Sequence, residues 1–282
     1  MPETVGVDFL LKADSNVIGG RDDATLSLSR ESSELAPTAA TGATYARSLA
    51  GLKDWSVDYD ALYLENSEAI SGFSPTVTVN PSGTGATLER ISEVSLTIER
   101  DAIEFANSSH SQYVARRPSV IRMEAEITTD VDAEAQYATG NASRLLFDAW
   151  DSTSGRVTLE IALPGGNTSF QADFIVSEIE FTGPTDDASE ATFSLTSDGV
   201  ITETIGASVG TGLNAIITNI FADDPSALSL DFTTEDTGSI QFSGTAWPSS
   251  TEVTIPVEGA EDGVTVSGTL SAADALTIEE TA

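Results

Sequence analysis

The chain has 282 residues with 12 Lys and Arg against 45 Asp and Glu, a net charge of −33, and no cysteine. The missing cysteines exclude a disulfide framework and any thiolate site. The missing basic residues argue against a nucleic-acid-binding groove, which needs clustered Lys and Arg to displace counterions.

A surface this acidic repels itself, and there are too few basic residues to pair its acids. Two explanations are compatible. At about 1 M salt the Debye length falls to roughly 3 Å and the repulsion nearly vanishes; an acid-rich chain with two lysines, Lys12 and Lys53, suits that setting. Alternatively, the surface is negative so that nucleic acid slides past it. The acidic N-terminus Met1-Pro2-Glu3 lacks the layout of a signal peptide. No run of about 18 apolar residues is present to cross a bilayer, so the expectation is a soluble protein. Abundant Gly, Ser, Thr and Ala with short alternating β-branched runs predict a mainly β fold.

In chain order, residues 5–13 read as an apolar strand, followed by a turn at Gly19-Gly20. Residues 23–36 alternate, with Ala24, Leu26 and Leu28 on one face. After a Thr/Ala/Gly-rich loop, 53–64 alternate again, with Trp55, Val57, Tyr59 and Ala61 together. Residues 66–87 read mostly as a connection, with Val77 and Val79 in a short strand.

The pattern then returns. Leu26-Ser27-Leu28-Ser29-Arg30-Glu31 is echoed by Leu96-Thr97-Ile98-Glu99-Arg100-Asp101, and Trp55-Ser56-Val57-Asp58-Tyr59 by Met123-Glu124-Ala125-Glu126-Ile127. A long β-hairpin (22–64 and 91–130) is therefore used twice. A helix is predicted over 143–150, with Asn141 or Ser143 as N-cap and Gly155 as its stop. Strands follow at 157–163, 170–181 and 191–196. Residues 206–212 read as a small-residue spacer, and 213–282 as a small immunoglobulin-like β-sandwich with strands at 227–232, 239–242, 251–257, 264–270 and 276–279.

Catalytic chemistry is hard to place. His110 lies in a hairpin loop among serines, without a nucleophile elbow, and reads as a solvated histidine. One His and no Cys leave zinc without ligands. Asp58 with Asp60, and Asp130 with Asp132, are weak cation candidates against the simpler reading of a solvated acidic face. Gly83-Thr84-Gly85 and Gly210-Thr211-Gly212 open no helix after a strand, so phosphate-loop readings fail. The sequons at Asn107, Asn141 and Asn167 read as chance matches. Arg116, Arg117 and Arg122 form the one basic cluster, weighed evenly between intramolecular ion pairs and contacts to a neighbouring subunit. No catalytic, cofactor or metal residue is assigned, and enzyme activity is not expected.

The stretch Leu49-Ala50-Gly51-Leu52-Lys53-Asp54-Trp55-Ser56, running on through Tyr59 to Leu62-Tyr63, resembles major tail tube proteins of long-tailed phages and archaeal tailed viruses. So do Thr158–Ile161, Ala172–Pro184 and the closing Ala191–Gly199. With the salt-adapted composition, the resemblance implies a haloarchaeal tailed virus. It implies a β-sandwich or barrel-forming tube domain over 1–205, one helix, and a subunit that joins others into stacked rings through which genome DNA passes without specific binding. It also implies contacts with tape-measure, terminator and baseplate proteins, no cofactor, no membrane, and a place in the virion tail after synthesis in the host cytoplasm. The first copy of the hairpin lacks its own helix and closing strands. That leaves a six-membered ring of single tube domains with a spare hairpin, or a trimer imitating sixfold symmetry. Residues 213–282 are then an outward decoration domain whose removal leaves assembly intact. Another virion protein, such as a baseplate or terminator subunit, and a haloarchaeal surface or adhesion protein are the rival readings.

Overall fold

The computed structural model describes residues 9–18, 21–35, 47–65, 68–69, 75–83, 85–105, 115–131, 140–164, 167–183, 189–206, 211–222, 227–234, 240–255 and 264–280. In chain order the strands are β1 (Phe9–Ala13), β2 (Asn16–Val17), β3 (Arg21–Leu35), β4 (Arg47–Leu62), β5 (Leu64–Glu65), β6 (Glu68–Ala69), β7 (Thr76–Val79), β8 (Ala86–Thr87), β9 (Ile91–Phe105) and β10 (Ala115–Val131). Helix α1 (Ala142–Asp151) leads to β11 (Arg156–Ala162), β12 (Ser169–Thr182), β13 (Ser189–Ser197) and β14 (Thr202–Thr204). Helix α2 (Thr211–Phe221) leads to β15 (Leu228–Thr234), β16 (Ile240–Ile255), β17 (Thr265–Ala272) and β18 (Thr277–Glu280). The protein is mainly β. Among the described residues there are two helices, and sixteen strands share one sheet whose pairings are all antiparallel, with β5–β6 standing apart.

The two hairpins match pair for pair. Leu28 faces Trp55 as Ile98 faces Met123, and Leu26 faces Val57 as Leu96 faces Ala125, at offsets of 70 and 68. Even the irregularities coincide. One falls between Arg30 and Ser32 as between Arg100 and Ala102; the other falls between Arg21 and Asp23 as between Ile91 and Glu93. Bulges are specific features of a fold, so two shared ones mark one structure used twice.

The matching does not stop at the hairpins. The stretch 213–282, expected as a separate sandwich, instead supplies four strands to the common sheet, two of them lying between the hairpins: β17 pairs with β4, and β16 pairs with both β17 and β9. Their register repeats that of β11–β14. Leu270 faces Val57 as Leu195 faces Ala125. Pro248 precedes a bulge against Leu270 as Val176 does against Leu195. Leu230 faces Gly244 as Leu159 faces Ala172, and β18 lies on β16 as β14 lies on β12. At the start, Ala13 faces Leu230 as Val79 faces Leu159, so 66–87 is more than a connection.

Two topologically identical units result. One runs continuously from β7 to β14. The other is split around it, with β1–β4 before and α2 through β18 after. Each helix covers its own unit: α1 packs on β7, β11 and β12, and α2 on β1, β2, β15 and β16.

Alternation buries one face of each strand, as in Val157, Leu159 and Ile161 of β11. Equivalent positions exchange volume. Ile127 stands beside Phe193 in the continuous unit, whereas Tyr59 stands beside Gly268 in the split one. A Cβ on Gly268 would meet the Ser250 backbone carbonyl as well as the Tyr59 hydroxyl, the latter at 2.8 Å. Close packing leaves room for one large side chain at this site, not two.

Helix α2 was not expected. Its buried Leu213, Ile216, Ile217 and Ile220 nevertheless stand at i, i+3, i+4 and i+7. The reading that Gly210-Thr211-Gly212 opens no helix is corrected: α2 begins at Thr211. Gly212 has a packing role there, since a Cβ would lie 2.6 Å from the Val17 carbonyl oxygen of β2.

Candidate assembly interface

The two units meet along a seam within the chain. Thr251, Val253 and Ile255 of β16 face Ile98, Leu96 and Val94 of β9, and all six side chains are buried. Arg100 of β9 crosses the seam and is buried at the end of α2. There its Nη1 donates to the carbonyl oxygens of Ile220 at 2.7 Å and Ala222 at 2.8 Å. The last carbonyls of a helix have no partner within the helix and carry its negative dipole end, so a guanidinium suits them twice over.

Tyr59 reaches the same seam, its hydroxyl 3.3 Å from Thr251 Oγ1. Burial pushes its phenol up from 10.0 to about 12, and the Thr251 hydrogen bond pulls weakly the other way. The folded chain thus holds this proton more tightly than the unfolded chain. The contribution is fully present below pH 10 and is lost as pH rises through about 12. Thermal melts across that window should show wild type losing stability more steeply than Tyr59→Phe; parallel curves would mean that Tyr59 ionises without cost.

The basic cluster resolves inward. Arg116 forms a two-pronged pair with Asp54, at 2.7 and 2.6 Å, and reaches Glu104 at 2.9 Å. These hydrogen bonds, that to Asp54 foremost, raise its already high pKa. Arg122 pairs with Asp101 at 3.3 Å. For these two the intramolecular alternative is the one realised.

Among the cation candidates, Asp58 accepts a 2.7 Å hydrogen bond from Thr269 Oγ1, and no group of three or more potential metal ligands occurs among the described residues. His110, Asp132 and the Asn107 sequon lie outside the described residues. Asn141 is the N-cap residue of α1, though its side chain makes no capping bond. In the third sequon Thr168 is buried, 2.6 Å from the Tyr63 hydroxyl. The described residues bring together no catalytic constellation; their chemistry is that of strand edges.

Among the described residues, two long strands keep an unpaired edge. Strand β3 is paired there with β4 alone. Strand β12 pairs with β11 through Ile175, and beyond that only with β13 on its opposite side. Leu28 is 57% exposed on the first edge and Phe181 58% exposed on the second. Phe181 stacks on Phe147 of α1 with ring centroids 5.5 Å apart. Trp150 on α1 is 53% exposed. An apolar hollow of about 320 Å³ beside β3 is lined by Leu28, Trp55, Leu276 and Ile278 with Arg30 and Lys53. Unpaired strand edges with exposed apolar side chains are natural joining elements.

Residues 89–203 match the family described as phage tail tube protein. That span covers β9 to β14, most of the continuous unit. Among solved structures, a chain of the virion of a native gene transfer agent particle is 12% identical with a TM-score of 0.36, covering 46% of this chain and 95% of that one. A chain from the tail of an empty gene transfer agent particle, refined with C6 symmetry, is 14% identical with a TM-score of 0.36, covering 46% and 94%. No curated protein matches the chain.

Proposed function

We propose that this chain, whose residues 89–203 match the phage tail tube family, is the major subunit of a viral tail tube. It is a structural protein, one that joins edge to edge into rings of six tube units; the rings stack around a lumen through which genome DNA passes. The single observation that carries this reading is the family match over β9–β14, and the open strand edges on either side of the chain agree with it. Tape-measure, terminator and baseplate proteins would be its neighbours in the virion tail, after synthesis in the host cytoplasm.

The charge of −33 suits both an acidic conduit that does not grip DNA and a host with molar internal salt, in keeping with a haloarchaeal tailed virus. Ion screening at about 1 M, with a Debye length near 3 Å, permits such surfaces to pack ring on ring.

Electron microscopy of the purified protein across a salt series tests this. Tubes or stacked rings are expected at molar salt, with dissociation as salt falls toward about 0.1 M, where repulsion reaches roughly 10 Å. A monomer persisting at every salt and protein concentration would overturn the assignment.

A further inference from the structure

The chain contains a worked example of how its units join, and we infer that the joint between chains repeats it. The inference rests on the tail tube reading and adds to it the partner surface, its register and the number of chains per ring.

Inside the chain, β16 of the split unit pairs with β9 of the continuous unit. The β16 positions correspond to β12 at an offset of 72, because Val253 faces Val266 as Phe181 faces Ala191. The β9 positions correspond to β3 at an offset of 70. Those β12 and β3 positions are the two open edges. Carrying the seam across places Ile179 of one chain opposite Leu28 of a second copy, Glu180 opposite Ser27, Phe181 opposite Leu26, and Thr182 opposite Thr25.

Three independent features of the surface agree. First, the seam residues Ile98, Leu96 and Val253 are buried, whereas their counterparts Leu28 and Phe181 are exposed and Leu26 half-buried. Exposed apolar side chains on both edges, where the equivalent seam residues are buried, are what an unmade joint leaves behind.

Second, the helix contact has its counterpart. Ser143, Leu146 and Ala149 are buried as Leu213, Ile216 and Asn219 are, which aligns the two helices at an offset of 70. The Ile220 and Ala222 carbonyls that receive Arg100 then correspond to those of Trp150 and Ser152. Helix α1 has no basic residue in its last turn, and the counterpart of Arg100 is the exposed Arg30. Arg30 of the second copy therefore donates to the Trp150 and Ser152 carbonyls.

Third, Ile220 is buried, its carbonyl held by Arg100, while its counterpart Trp150 projects from α1. The hollow beside Leu28, lined also by Trp55, Leu276 and Ile278, receives it.

The joint is head-to-tail, and identical joints of that kind close into a ring when their rotation permits. Each chain contributes two units and one internal joint. A ring of six units therefore closes after three chains.

The test uses engineered cysteines, which the chain otherwise lacks. Directly opposed residues of an antiparallel pair lie about 4.5–5.5 Å apart at Cα, within disulfide reach. L28C/I179C and S27C/E180C sample both kinds of opposed pair. Full-length protein is assembled at molar salt, oxidised, and run without reductant. The expected result is a covalent ladder ending at three chains, with little cross-linking in the diagonal variant L28C/F181C. Mixing the single variants L28C and I179C should give dimers and nothing larger. As a second readout, Trp150 fluorescence should shift to the blue on assembly, and Trp150→Phe should remove most of that shift.

Tubes without these disulfides would overturn the joint while leaving the tube reading intact. A ladder reaching six chains would overturn the three-chain ring. Wild-type protein that forms no tubes would overturn the tube reading itself.

Discussion

A chain ending at Ile205 should fail to form tubes and should lose its cooperative melt, because its first hairpin is left without partners. Residues 206–282 carry α2 and the strands β15–β18. Strand β17 holds β4 through seven opposed pairs from Leu62–Thr265 to Ser56–Ser271, and β16 covers the edge of β9. Removing them uncovers Trp55, Val57 and Ala61 on one side and Val94, Leu96 and Ile98 on the other, all buried in the full chain. At roughly 1.5–3 kcal/mol for each large apolar side chain, a handful of these losses equals the entire stability of an ordinary domain, about 5–15 kcal/mol. Circular dichroism melts and electron microscopy of the truncated chain at molar salt provide the measurement. A sharp melt with intact tubes would restore 213–282 to the role of a dispensable decoration.

Arg100→Ala should cost about 3 kcal/mol, the largest effect expected of any single substitution at the seam. The guanidinium is buried, and its Nη1 donates to the carbonyls of Ile220 and Ala222. Hydrogen bonds to a charged group contribute about 1.5–3 kcal/mol, and acceptors left buried without donors add a desolvation cost. The loss falls on the contact between units, so denaturant unfolding should become two-step, with α2 and its strands melting before the continuous unit. Arg100→Lys keeps the charge at the helix end but not the fork geometry, and should recover part of the loss. An unchanged single transition for Arg100→Ala would show that the seam is held by strand pairing alone.

Much of this was legible in the residues. The hairpin echo placed Leu28 with Ile98 and Trp55 with Met123, and the sheet registers agree. The stripe Leu145, Leu146, Ala149 and Trp150 gave α1 to within a residue at each end, although Trp150 lies exposed rather than on the buried face. The closing half of the first unit was harder to see, for two physical reasons. Leu228-Ser229-Leu230-Asp231-Phe232 does answer Val157-Thr158-Leu159-Glu160-Ile161, but alternation of this kind is shared by any half-buried strand and carries little identity. Insertion of one unit into the other also separates matching halves by nearly the same distance throughout, close to 70 residues, so a nested duplication looks like a tandem one. Strand β16 (Ile240–Ile255) runs through what reads as two strands, 239–242 and 251–257, with Pro248 between them. The proline is tolerated because the ladder skips beside it, between Pro248 and Ser250. Helix α2 was hidden by Gly212 and by β-branched Ile216, Ile217 and Thr218, residues of modest helix propensity. Burial of its apolar stripe outweighs that handicap.

The nesting of one unit inside the other also sets an order of events as the chain is made. Pairs such as Leu62 with Thr265 join segments separated by some two hundred residues, and closing so long a loop is slow compared with forming a local hairpin. The continuous unit is complete once β14 emerges, while the hairpin β3–β4 waits for the last strands. The Leu28 edge is therefore finished only after β16 and β17 have emerged, whereas the Phe181 edge of the continuous unit is ready as soon as β14 is made.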